Sequence, residues 1–260
     1  MLILNEEKYA KDLYNGKIQE IKSIMSKIRY VTRYLVHSEH RNNDDVYKET
    51  VQWLKKHHNN FDESSYSNVI SDAIKAAHKY PFYIIDNIKI TRSELEIISS
   101  LDNLRAEKIL FVLLCMAKQQ SMSNGFTNGL VKYSITDLCK IARVSVPAED
   151  REYILYDIVQ RGLLGYPKKN NTQCLIVNFI SMDDVVLELD EMDCKELAYV
   201  YLSWKNNGNG YTKCQKCDRL MKQSKTKPKK YCEDCAREVQ REQKRLWAEK
   251  SRKNLTQQND

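Results

Sequence analysis

Four cysteines near the C-terminus constrain this chain more than any other feature. Cys214-Gln-Lys-Cys217 is followed by fourteen residues and then by Cys232-Glu-Asp-Cys235. Each Cys-x-x-Cys pair closes a tight knuckle that offers two thiolates at nearly fixed geometry. Two such pairs at this separation read as a tetrahedral four-thiolate zinc site. Residues 218–231 between them are polar, carry Pro228 and have little to bury, so the metal must supply the folding energy. Four thiolates fill the coordination sphere and leave no position for water, which makes the expected ion a single structural Zn2+. The competing reading is a pair of redox dithiols or disulfides, but nothing else marks the chain as secreted or thioredoxin-like.

Residues 236–253, AREVQREQKRLWAEKSRK, contain no Gly or Pro and read as one helix running straight off the second knuckle. In this order the segment resembles treble-clef and zinc-ribbon-plus-helix modules. Val239, Leu246 and Trp247 are its few apolar positions, too few for a buried helix.

Charge is concentrated in the same place. Residues 211–253 carry fifteen Lys and Arg against six Asp and Glu, a net of +9, whereas 1–210 carry 27 against 28. The +7 of the whole chain therefore belongs to the C-terminal module. Such a patch suits the counterion release that accompanies binding to a phosphate backbone. The plainer alternative is a solvated, charge-rich tail. The candidate nucleic-acid contacts are Lys213, Lys216, Lys222, Lys225, Lys227, Lys229 and Lys230 in or beside the knuckles, and Arg237, Arg241, Lys244 and Arg245 on the helix. Tyr211 and Tyr231 either stack on unpaired bases or pack beside the knuckles.

With 42% apolar residues the chain can build a core, and with only 7 Gly and 4 Pro it has few turns, so a mainly α protein is expected. No long apolar run and no cleavable leader pattern appear, which predicts a cytoplasmic protein without a membrane partner. Cys115, Cys139, Cys174 and Cys194 sit in apolar patterns and read as buried thiols of a reducing compartment.

Along the chain, residues 1–90 read as a helical N-terminal region. Two helices are interrupted near Tyr14-Asn-Gly16, a third spans 46–57 and a fourth spans 65–79, ended by Pro81. Residues 82–90 look like a small hairpin or an extended passage. Thr91-Arg-Ser-Glu94 is a capping box. The run from Ile109 to Met116 is apolar on nearly all sides, which predicts the central buried helix. Next come a strand candidate at 130–133, a short helix capped by Ser134, a turn at 144–146 and a helix opening at Pro147. Two strands then flank Pro167-Lys-Lys-Asn-Asn-Thr-Gln173.

This order, across residues 93–180, resembles the winged helix-turn-helix superfamily, with Lys168 and Lys169 at the wing tip. The resemblance implies a winged-helix-like domain over 91–205 whose helix 147–161 would enter a major groove. That helix, however, carries Glu149, Asp150, Arg151, Glu152, Asp157 and Arg161, a net of −2, and acids in its first turn repel phosphate. A protein-binding role for the domain is therefore equally open. The acids at 183, 184, 190, 191 and 193 form either a solvated loop or a dock for the basic module. Asn206-Asn-Gly-Asn-Gly210 reads as a linker before a module over 211–253, with 254–260 as a disordered tail.

No catalytic motif stands out. The five histidines all lie at or before residue 78, so a nuclease built on the zinc knuckles lacks its histidine. His37-x-x-His40 reads as a surface pair, and phosphate loops and hydrolase signatures are absent. Only a carboxylate-only nuclease in the N-terminal half stays open, and a non-enzyme is expected.

The opening Met1-Leu-Ile-Leu-Asn-Glu6, the segments at 79–88 and 110–118, and Lys230-Tyr-Cys-Glu-Asp-Cys235 together resemble uncharacterised proteins of Firmicutes phages and mobile elements. These combine a helical start, a winged-helix-like middle and a Lys-rich two-knuckle end. The expected function is a zinc-containing nucleic-acid-binding protein, with DNA favoured over RNA, that grips the backbone with its basic module. The alternative is an inhibitor or accessory factor that acts on a host or defence complex through the acidic winged-helix-like domain.

Overall fold

The computed structural model describes residues 2–18, 23–124, 129–168, 174–224 and 226–257. It is mainly helical with small sheets, and the chain divides into two compact units, residues 3–87 and residues 88 onward with Leu2. Lys169 and Lys225 lie outside the described residues.

In the first unit, helices α1 (Glu6–Tyr14), α2 (Ile24–His37), α3 (Asn43–His57) and α4 (Glu63–Lys79) pack around one core. Side chains set their starts. Asn5 accepts from the Lys8 amide at 2.8 Å, Asn42 from that of Asp45 at 2.9 Å and Asp62 from that of Ser65 at 3.0 Å. These caps start α3 and α4 a few residues earlier than apolar periodicity suggests. Ile28, Val31 and Leu35 of α2 are fully buried with Leu54, Ile70 and Ala77. Buried beside them, Arg33 pairs with Glu6 at 2.7 Å, donates to the Pro81 carbonyl at 2.6 Å and lies 4.5 Å above the Phe82 ring centroid.

The second unit is built on α6 (Leu104–Asn124), which follows β1 (Ile88–Thr91) and α5 (Arg92–Ser99). Residues 109–115 of α6 are completely buried, as a helix apolar on all sides requires. The Thr91–Glu94 capping box forms as its sequence predicts. Glu94 does more, since its carboxylate lies 2.8 Å from the Lys118 ammonium and accepts the Ser181 amide at 2.8 Å. Lys118 also donates to the Lys89 carbonyl at 2.7 Å, which joins α6 to β1.

Next come β2 (Leu130–Lys132), α7 (Ile135–Ile141), α8 (Ala148–Gln160), β3 (Leu164–Gly165) and β4 (Cys174–Val177), with the three strands antiparallel in the order β2-β4-β3. Gly129 enters β2 at φ +65°, and a Cβ there would sit 2.4 Å from the Val177 carbonyl oxygen. β5 (Val185–Leu189), a 3-10 turn at Asp193–Lys195, α9 (Leu197–Lys205), β6 (Tyr211–Lys213), β7 (Leu220–Lys222) and α10 (Glu233–Gln257) complete the chain.

Several local expectations change. Of the two readings for residues 82–90, the extended passage holds and the hairpin does not form; Ile84 makes one bridge to Asn5, and β1 pairs antiparallel with β5. Ile88 and Ile90 are fully buried, and their backbone finds its ladder in a distant strand hidden inside the acidic stretch. Pro147 caps α8 instead of opening it. Residues 206–210 form hydrogen-bonded turns, with the Gly208 amide on Ser203 O at 2.7 Å and the Gln223 amide on Gly210 O at 2.8 Å. α10 begins at Glu233 and runs to Gln257, so residues 254–257, expected in the tail, are helical. Glu233 and Asp234 suit its first turn, and no Gly or Pro stops it earlier. Among the described residues no helix is long and apolar enough to cross a membrane.

Candidate metal centre and its basic surround

The β6–β7 hairpin presents the first knuckle. Tyr211–Lys213 pairs with Leu220–Lys222, and the chain turns between them through Cys214–Cys217. The Cys214 amide donates to Arg219 O at 3.0 Å and the Asp218 amide to Cys214 O at 3.0 Å, with Asp218 at φ +57°. The second knuckle is the start of α10. Cys232 precedes its first residue, Cys235 lies in its first turn, and the Ala236 amide bonds Cys232 O at 2.8 Å. Two further bonds join the knuckles: the Gln215 amide to Lys230 O at 3.0 Å, and the Cys232 amide to the Cys214 sulfur at 3.2 Å.

The structure therefore brings Cys214, Cys217, Cys232 and Cys235 together, and their sulfurs lie within 4.8 Å of one another. Cys217 and Cys232 sulfurs are 3.7 Å apart, far beyond a disulfide bond. Metal–sulfur bonds of about 2.3 Å in a tetrahedron demand sulfur–sulfur edges of about 3.8 Å, so the cluster fits one metal ion. Burial opposes ionisation of Cys214, but N–H donors from Cys232, Lys216 and Cys217 outweigh it and bring the thiol down to about 6. Burial, then the neighbouring sulfurs, push Cys235 well up; burial also raises Cys217. A bound cation favours deprotonation of all four thiols. Among the described residues this is the one cluster of three or more His, Cys, Asp or Glu side chains with metal-binding geometry. His37 instead contacts the Ala77 carbonyl at 2.7 Å, and His40 lies beyond the end of α2.

The basic candidates divide into paired and unpaired groups. Lys216 pairs with Glu238 at 2.8 Å, Arg237 with Glu233 at 3.4 Å, and Arg245 with Glu242 at 2.7 Å. Among the described residues Lys213, Lys222, Lys227, Lys229, Lys230, Arg241 and Lys244 are exposed and form no ion pair. Arg237, Arg241 and Lys244 follow one another at i, i+4 and i+7 and so share one face of α10. Lys168 is exposed at the end of β3's following turn.

Glu196 carries no sequence signal, yet it anchors the module. It is buried, accepts from Arg143 at 2.6 Å and lies 4.0 Å from Arg219, which in turn donates to Asp234 at 2.7 Å. The 3-10 turn before α9 is thereby tied to the first knuckle and to the start of α10. Of the acidic stretch, Asp184 pairs with Arg92 at 2.7 Å and Glu191 with Lys195 at 3.5 Å. Burial, then Asp190, raise the Asp193 carboxyl, and Lys213 opposes them. Tyr211 and Tyr231 are half-buried, Tyr211 against Tyr199 at 5.8 Å between ring centroids. On α8 and its hairpin, Tyr153, Tyr156 and Tyr166 are largely exposed; the i, i+3 spacing of the first two is the signal that locates them. No family model, no curated protein and no solved structure matches the chain.

Proposed function

We propose that this chain is a nucleic-acid-binding protein whose basic C-terminal module grips phosphate and is folded by one structural Zn2+ on Cys214, Cys217, Cys232 and Cys235. Four sulfur donors within 4.8 Å of one another favour zinc. The observation that carries the reading is the set of seven exposed cations around the centre that form no ion pair among the described residues. Exposed cations that form no ion pair attract a polyanion, and binding releases its condensed counterions. The succession α6, β2, α7, α8, β3, β4 supports a winged-helix-like reading of residues 93–180, with Lys168 as a second backbone contact. DNA is the expected ligand, and the phage or mobile-element setting implied by the resemblance is compatible with it. The chain is not expected to be an enzyme.

The test is fluorescence anisotropy of labelled DNA with the full chain, zinc-loaded and chelated, at two salt concentrations. Tight, salt-sensitive binding by the loaded protein alone supports the reading. Absence of binding at low salt overturns it.

A second reading rests on the exposed Tyr153, Tyr156 and Tyr166, 70%, 58% and 62% accessible, beside the acids of α8. Tyrosines are favoured at protein interfaces, and an acidic face suits a basic protein partner. Capture of one partner by the wild type, and its loss with Y153S/Y156S while DNA binding persists, would place protein recognition on this face.

A further inference from the structure

We propose that Trp247 is a base-stacking site, which makes single-stranded nucleic acid the preferred ligand of the basic module; this rests on the nucleic-acid reading above. Trp247 is 73% exposed on α10, and its neighbour Leu246 is 47% exposed. The ring is free to take a ligand: Trp247 has no ring contact or hydrogen bond among the described residues. The two tyrosines that sequence offers as stacking groups, Tyr211 and Tyr231, are half-buried in the module.

The surroundings specify the ligand. Lys244 and Lys250 lie three residues before and after Trp247, so on a helix they flank the ring one turn away on either side. Both are exposed and form no ion pair among the described residues. An aromatic face between two unneutralised ammonium groups matches a nucleotide, with the base on the ring and the adjoining phosphates on the lysines. In a duplex the base faces are already stacked on one another, so only an unpaired strand offers one to Trp247. The helix is a stiff platform. Its first turn is held by Cys235 and the metal site, and at about 1.5 Å per residue Trp247 stands about 18 Å further along.

The experiment uses the full zinc-loaded chain, with labelled oligothymidylate, oligouridylate and a DNA duplex as probes. W247A is expected to weaken binding of the single strands about tenfold, the loss of one stacked base, and to leave duplex binding and zinc content unchanged. W247F should recover most of the loss. The preferred single strand identifies DNA or RNA as the source. If W247A binds oligothymidylate and oligouridylate as tightly as wild type, or loses single strand and duplex equally, the stacking site is wrong while phosphate gripping stands. A concentration-dependent dimer that W247A abolishes, with nucleic-acid binding unchanged, would likewise overturn it in favour of a second copy on this face. Failure of wild type to bind any probe overturns both readings together.

Discussion

The backbone amide of Cys232 donates to the sulfur of Cys214 at 3.2 Å, across the two knuckles. A hydrogen bond of this kind favours the thiolate and fixes the two chain segments in mutual register, so the cluster is arranged for a cation by its own backbone. The same bond makes the module cooperative, because neither knuckle is complete without the other.

Metal removal should therefore unfold the module and spare the α6 core. C232S or chelation is expected to abolish zinc binding, since a three-thiolate remnant loses the closed site, and to expose residues 218–231 to protease. Binding energies of about 10–16 kcal/mol for structural zinc sites set the scale. Zinc analysis with limited proteolysis reads both effects. A C232S protein that retains zinc and protease resistance would contradict the assignment.

The Glu94–Lys118 pair is the most consequential buried ion pair of the second unit, with both side chains nearly inaccessible. K118A leaves the Glu94 charge without its cation and should cost about 3–5 kcal/mol. K118M/E94L, which removes both charges, should recover part of that. Urea unfolding of the two variants measures the difference, and equal destabilisation would show that the Glu94 cap, not the pair, dominates.

Alkaline pH should destabilise the fold through its tyrosines. Burial, then the bond to Glu49, push Tyr14 up to about 12; burial, then the bond to Glu39, push Tyr34 to about 12 as well. Burial and its bond to Glu107 raise Tyr201 still further. Above pH about 10 the unfolded chain releases these protons and the folded chain keeps them, so unfolding is favoured. Their contribution is intact below about pH 10 and is lost as pH climbs toward about 12. Thermal unfolding midpoints across this window should fall, and the fall should shrink in Y34F.

Phosphate gripping should appear in the salt slope. K227Q/K229Q/K230Q removes three exposed, unpaired cations. For every phosphate that one of these lysines neutralises, the slope of log K against log salt should become shallower by about 0.7–0.9, with zinc content unchanged. The reduction should be the same for unrelated sequences, because lysines on the backbone touch no base edge. An unchanged slope would remove this loop from the interface.

Much of the site was legible because its information is local. The spacing of Cys214, Cys217, Cys232 and Cys235 names a donor set without any knowledge of the rest of the chain. The capping box at Thr91 and Glu94 is equally local, and the all-round apolar run at 109–115 announces a buried helix. The helix after the second knuckle was legible for the same reason, although its acids at Glu233 and Asp234 start it earlier and it runs further than expected.

Long-range partners were not legible. The alternation at Ile88 and Ile90 asks for a strand partner but does not say which. Val185–Leu189 answers from almost a hundred residues away, masked by acids on both sides. Glu196 reads as one more charge until packing places it against Arg143 and near Arg219. The choice between stacking and packing for Tyr211 and Tyr231 was likewise left open until burial decided it.

Sequence alone thus determined the metal-binding potential, the helical character and the placement of charge, because each depends on residue type and spacing along a few turns of chain. Tertiary structure alone decided which cations stay unpaired, how far Tyr211 and Tyr231 are buried and what anchors the module to the α6 core. Those depend on which distant surfaces meet, and that is settled by the burial of apolar area over the whole unit, which no local pattern encodes.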